Sequence, residues 1–131
     1  MTNFAYVFPG QGSQSVGMMH AWEEHQATVI EVFNEASDAL GYDLWTLVSK
    51  GPEARLNETE VTQPAMLCAG VGSWRIASQQ ADMPQASMMA GHSLGEYSAL
   101  VCAGSLELTS AVQLVAHRGQ LMQSAVAADE G

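Results

Sequence analysis

The apolar run Ala86-Ser-Met-Met-Ala90 passes directly into Gly91-His92-Ser93-Leu94-Gly95 and then into a second apolar stretch, EYSALVCAG. This junction constrains the chain more than any other feature. A serine between two glycines at such a place predicts a strand, a sharp turn and a helix. The glycines are needed because backbone segments approach there too closely for side chains. The turn pushes the serine hydroxyl outward, and the first N–H groups of the helix point at charge developing near it. The same residues also fit an ordinary helix start with Ser93 as its N-cap, and the junction alone does not separate the two readings.

Residues 3–8, Asn-Phe-Ala-Tyr-Val-Phe, predict another strand, and Pro9-Gly10 stops it. Both strands read as buried on both faces, because apolar residues occupy both alternating sets. A Gly/Ser/Gln loop over 9–17 leads into a helix through Trp22 and a longer one over about 26–40. The latter carries Val29, Ile30, Phe33, Ala36 and Leu40 on one stripe, with Gly41 as its stop. Leu44, Trp45, Leu47 and Val48 predict a short helix ended by Lys50-Gly51-Pro52. Residues 53–62 read as a polar loop, with Thr62 as N-cap and Pro64 near the first turn of a helix running to about Gln80. Its small-residue centre, CAGVGSW, allows another backbone to pack closely. The stretch after Gly95 predicts a helix ending near Gly104. Thr109 would cap a last helix with Leu108, Val112, Val115 and Met122 on one side. The order strand, helices, strand, helix gives an α/β class. Two strands do not make a stable parallel sheet, and the ending AVAADEG offers no closing element. The expectation is the front part of a longer protein, or strands borrowed from a partner.

A length of 131 residues fits one domain or part of a larger one. Four basic residues against fourteen acidic ones leave a formal charge of −10, which argues against nucleic acid and anionic membrane surfaces as partners. Cys68 and Cys102 are too few for a disulfide scaffold, lack metal-ligand spacing and sit in apolar stretches, so both read as buried free thiols. The N-terminus has no basic region typical of a signal peptide. No apolar run approaches the roughly 20 residues of a membrane span. These features predict a cytoplasmic protein that needs no metal or cofactor.

The loop Pro9-Gly10-Gln11-Gly12-Ser13-Gln14 favours the catalytic reading of Ser93. Loops at the carboxyl ends of parallel strands line the ligand crevice. If the two strands are parallel, the N–H groups of Gln11 and Leu94 are candidates for an oxyanion hole. The alternative is a phosphate cradle, which lacks support because neither G-K-[ST] nor G-x-G-x-x-G is present. Arg118 lies in the apolar stretch LVAHRGQLM. It is either a solvated surface arginine or a bidentate anchor for a carboxylate.

Four segments carry a resemblance: Phe8-Pro-Gly-Gln-Gly-Ser-Gln14, Leu56-Asn-x-Thr-x-x-Thr-Gln-Pro-Ala65, Ala90-Gly-His-Ser-Leu-Gly-Glu-Tyr-Ser-Ala-Leu100 and Arg118-Gly-x-Leu-Met-Gln123. In order along essentially the whole chain, they resemble the malonyl-CoA:acyl carrier protein transacylases. The resemblance implies that residues 1–131 are the N-terminal part of an α/β-hydrolase-like large subdomain. That subdomain has a parallel sheet and a nucleophile elbow, and the ferredoxin-like small subdomain is absent from this chain. It implies ping-pong transfer of malonyl from malonyl-CoA to the phosphopantetheine thiol of acyl carrier protein, in fatty acid synthesis. Position by position, Ser93 resembles the nucleophile, Gln11 and Leu94 the oxyanion donors, Arg118 the malonyl-carboxylate anchor and Gln63 a polar residue of the same pocket.

The chain departs from the family in one respect. The family's general-base histidine, its supporting residues and the small subdomain all fall beyond position 131. His92 neighbours Ser93, but adjacent side chains at such a turn point apart. His117 faces away from Arg118, and His20 and His25 have no reason to reach the serine. Two other readings therefore stand beside the transacylase. One is a serine esterase or patatin-like lipase, which shares the elbow but needs no carboxylate anchor. The other is an inactive fragment lacking its base.

Overall fold

The computed structural model describes residues 3–126. Strand β1 (Ala5–Phe8) pairs in parallel with β2 (Met88–Gly91), in the register Ala5 opposite Met88 through Phe8 opposite Gly91. Between them the chain forms a 3-10 turn (His20–His25) and helices α1 (Gln26–Leu40), α2 (Leu44–Lys50), α3 (Glu53–Leu56) and α4 (Thr59–Ser78). After β2 come α5 (Gly95–Cys102) and α6 (Leu108–Ala125). The described residues thus form an α/β unit whose small parallel sheet borders a helical layer.

Each helix begins and ends for local reasons. Gly41 closes α1 in the left-handed conformation at φ 83°, donating its N–H to Ser37 O. Asp43 caps α2 by accepting from both the N–H and the hydroxyl of Thr46, and these bonds hold its carboxyl below its ordinary range. Helix α4 is the centre of the core: every residue from Val61 to Cys68 is buried. It packs against α1, α5 and α6, which explains its weakly one-sided apolar pattern. On α1 the buried stripe is Val29, Val32, Phe33 and Ala36, while Ile30 and Leu40 lie at its margin.

Several sequence expectations are corrected. Neither strand is buried on both faces. Phe8 is buried, yet Val7 is 72% and Met88 64% exposed, because α4 and α5 cover one face of the sheet only among the described residues. Residues 53–62 are not a loop: α3 occupies 53–56 and α4 starts at Thr59 after Glu58. Thr62 is no N-cap. It lies inside the first turn of α4, where its hydroxyl donates to Leu56 O and Glu58 O and ties α3 to α4. Pro64 is the sixth residue of that helix, so its missing N–H leaves the Glu60 carbonyl without an i+4 donor. Glu107 rather than Thr109 precedes α6; the Thr109 hydroxyl instead meets Glu35 Oε1 at 3.3 Å. Met122 is exposed, not part of the buried side of α6.

Two close backbone contacts set the position of α5 and α6. A Cβ on Gly95 would overlap the Phe8 carbonyl. A Cβ on Gly119 would stand 2.7 Å from Glu60 Cα and 2.8 Å from Thr59 O. Both glycines therefore let a helix touch neighbouring backbone directly. No described helix is long and apolar enough to cross a membrane.

Cys68 and Cys102 are buried and unpaired. Burial pushes the Cys68 thiol well above its ordinary range and the Cys102 thiol up to about 12. Alkylation by iodoacetamide at mildly alkaline pH is expected to label neither cysteine in the folded protein and both after denaturation. The unfolded thiols deprotonate near their ordinary pKa of about 8.5 while the folded ones stay protonated. Stability should therefore fall as pH rises above that range. Rapid labelling under native conditions would contradict the burial.

Candidate active site

The turn between β2 and α5 has the geometry that a strand-to-helix elbow requires. Ser93 adopts φ 54°, the one positive φ at a non-glycine residue among the described residues. That backbone region strains an L-residue and persists only when the surroundings enforce it. Here they do. His92 donates its N–H to Phe8 O at 3.3 Å, extending the sheet pairing by one residue. Gly95 then donates to His92 O at 2.9 Å and Glu96 to Ser93 O at 3.1 Å, closing the turn into α5. A Cβ on Gly91 would overlap the Gly95 carbonyl, so neither flanking glycine tolerates a side chain. Ser93 is not a conventional N-cap, since its side chain makes no capping bond to α5.

The hydroxyl faces α6 instead. Arg118 Nη2 donates to Ser93 Oγ at 3.1 Å, and Arg118 Nη1 donates to Gln63 Oε1 at 2.8 Å. Gln63 is fully buried on α4, and its amide nitrogen meets the Met122 sulfur at 3.2 Å. The arginine's Cζ lies 5.5 Å from the centre of the Tyr97 ring. Arg118 is thus held by α4 and α5 rather than solvated freely. Because the serine oxygen accepts from the guanidinium, the hydroxyl proton stays available for transfer to a base.

The loop after β1 closes the other side. A Cβ on Gly10 would stand 2.7 Å from His92 O and 3.6 Å from Ser93 Cβ, so the residue preceding Gln11 lies against the elbow. The Gln11 side chain donates to Thr59 Oγ1 at 3.2 Å, and Gln14 donates to Asn57 Oδ1 at 3.0 Å. The Gln14 side-chain Oε1 accepts from Gly12 N–H at 2.8 Å. These bonds fasten the loop to the α3–α4 junction. Leu94, the first residue after the serine, is fully buried, and among the described residues the N–H groups of Gln11 and Leu94 donate to no protein acceptor. Two N–H groups, one on the residue after Ser93 and one in the loop beside the elbow, are therefore available as donors.

The structure therefore brings Ser93, Leu94, Gln63, Arg118 and the Gln11 loop together. It brings no histidine to them: among the described residues no imidazole hydrogen-bonds Ser93, and His20, His92 and His117 are exposed. Sequence reasoning missed Tyr97, Met122, Asn57 and Thr59. Met122 follows Arg118 by four on α6, the spacing that puts side chains on one helix face, and Tyr97 lies in the first turn of α5, just after the elbow.

Residues 5–130 match the family described as acyl transferase domain. The chain belongs to that family. It is 58% identical over 127 residues to the malonyl CoA-acyl carrier protein transacylase of Salmonella typhimurium, a match covering 96% of this chain and 40% of the relative. Among solved structures it resembles an acyl carrier protein S-malonyltransferase from Vibrio cholerae, with a TM-score of 0.90 and 56% identity. That match covers 96% of this chain and 41% of the other. A second structure holds a type II PKS acyl-carrier protein in complex with its malonyl-transacylase. There the TM-score is 0.90 and the identity 54%, over 96% of this chain and 40% of that one. The chain thus spans about 40% of the length of these acyl transferase relatives.

The strain at Ser93 is measurable. Glycine relieves a positive φ and alanine does not, so Ser93→Gly should be more stable than Ser93→Ala by about 1 kcal/mol in denaturant unfolding. Equal stabilities would show that the elbow carries no backbone strain.

Proposed function

We propose that this chain carries the nucleophile and acyl-binding half of a malonyl-CoA:acyl carrier protein transacylase, within an α/β-hydrolase-like large subdomain working in the cytoplasm. The observation that carries the reading is the chain of contacts Ser93–Arg118–Gln63. A serine hydroxyl in an elbow is common to hydrolases and transferases. A guanidinium held 3.1 Å from it, in a chain with only four basic residues, favours an acyl group that ends in a carboxylate. A neutral ester gives that arginine nothing to bind, which weighs against the esterase reading.

In this mechanism malonyl-CoA enters with its free carboxylate on Arg118, displacing the guanidinium from the serine oxygen. Ser93 Oγ attacks the thioester carbonyl and gives up its proton to a base. The resemblance assigns that base to the family's histidine, beyond residue 131. Negative charge on the carbonyl oxygen is met by the N–H groups of Gln11 and Leu94. Collapse expels the coenzyme A thiolate, which takes the proton, and leaves a malonyl-Ser93 ester. The phosphopantetheine thiol of acyl carrier protein then reverses the sequence and carries malonyl away. Each oxyanion donor contributes roughly 2.7–4 kcal/mol when judged by its removal.

The test uses a chimera in which residues 1–131 replace the corresponding segment of the Salmonella typhimurium transacylase. Malonyl-CoA should leave a malonyl adduct on Ser93 in intact mass spectra, and Ser93→Ala should abolish it. Arg118→Ala should lower malonyl transfer by about 10- to 150-fold, the worth of a hydrogen bond to a charged group, while shifting relative preference toward acetyl. An unchanged malonyl-to-acetyl ratio in Arg118→Ala would overturn the anchor role. Residues 1–131 assayed alone should be nearly silent, since a serine without an adjacent base is a weak nucleophile. Robust turnover by that species would identify a base among His20, His25, His92 and His117.

A further inference from the structure

Three groups touch the Arg118 guanidinium, two polar and one aromatic. Gln63 Oε1 accepts from Nη1, which fixes one corner of the guanidinium. The Arg118 Cζ lies over the ring of Tyr97, 5.5 Å from the centroid, inside the range of a cation–π contact. Tyr97 sits on α5, one helical turn beyond the nucleophile, and is half-buried. Among the described residues its hydroxyl makes no hydrogen bond, so the ring rather than the phenol oxygen is the interacting part. The same guanidinium touches Ser93 through Nη2. The ring therefore touches the same guanidinium whose Nη2 reaches the serine.

We infer that Tyr97 is a positioning residue that sets acyl selectivity through Arg118. The inference rests on the transacylase reading. Once a carboxylate replaces Ser93 Oγ on Nη2, the remaining hydrogen bond to Gln63 Oε1 leaves the guanidinium free to pivot about Nη1. An aromatic face removes that freedom and keeps the plane of the fork oriented for a carboxylate. An uncharged acyl group has no carboxylate for the held fork to bind. Loss of the ring should therefore weaken malonyl transfer and spare acetyl transfer.

The experiment measures kcat/KM for malonyl-CoA and acetyl-CoA separately in the intact enzyme carrying this chain. Tyr97→Leu should lower the malonyl-to-acetyl ratio by about 2- to 30-fold, the span expected of a cation–π contact from exposed to desolvated. Tyr97→Phe should keep the ratio. In the Arg118→Ala background, Tyr97→Leu should change the ratio no further. A graded series of fluorinated phenylalanines at position 97 keeps the ring's shape while draining its negative face, and it reports even if the leucine variant fails to fold. The ratio should fall stepwise with fluorine content. A ratio indifferent to fluorination, or equal losses for both substrates, overturns the inference. Failure of the transacylase reading is distinguishable, because the unsubstituted enzyme would then show no malonyl preference at all.

Discussion

The site depends on one steric constraint, the contact of the Gly95 backbone with the carbonyl of Phe8. Because no Cβ intervenes, α5 starts directly above the carboxyl ends of both strands. The turn before it must then reverse within three residues, and Ser93 is left with the positive φ that such a reversal demands. The strain is supported by sheet pairing on one side and the helix on the other. A hydroxyl so placed cannot fold back onto the helix as a cap. It points toward α6, and that is the geometric origin of its contact with Arg118.

A second close approach determines where that arginine stands. Gly119 lets α6 lie against the first turn of α4, at Thr59 and Glu60. The neighbouring Arg118 consequently reaches both Gln63 on α4 and Ser93 at the elbow. Gln63 is a fully buried polar side chain, a costly arrangement unless its amide is satisfied at both ends. The guanidinium serves its oxygen and the Met122 sulfur its nitrogen. Thr59 meanwhile binds the Gln11 side chain, so one short stretch of α4 organises both the anchor and the loop beside the elbow.

Much of this was legible in the sequence, and the failures have physical causes. The boundaries of α1 and α2 could be read because Gly41 and Gly51 mark backbone that only glycine enters readily, at φ 83° and 84°. The elbow was legible from Gly91 and Gly95 for a different reason: a Cβ at either would overlap neighbouring backbone. The start of α4 was misread because Thr62 and Pro64 are good residues for a helix N-terminus, while here tertiary contacts place them a turn further in. Burial of the strands was overestimated, since apolar residues on both sets of a strand report what it can bury, not what covers it. Gln63 and Arg118 were each visible as residues of interest. Their mutual contact was not, because it spans 55 positions and depends on a helix crossing that no local pattern encodes.

On the proposed transacylase reading an acidic chain recognises an anionic acyl group, which raises a question of range. The net charge of −10 repels anions at a distance, whereas Arg118 attracts one at contact. These effects act on different scales. At physiological ionic strength exposed charges are screened over about 8 Å, so distant surface acidity contributes little at Arg118. A guanidinium partly shielded by Gln63 and Tyr97 is screened less. On that reading, selection of a carboxylate rests on the short-range fit of a held fork. It does not rest on a positive field that would draw in any anion. The scarcity of cations elsewhere strengthens this distinction: with three other basic residues in the chain, a misplaced carboxylate finds few alternative partners.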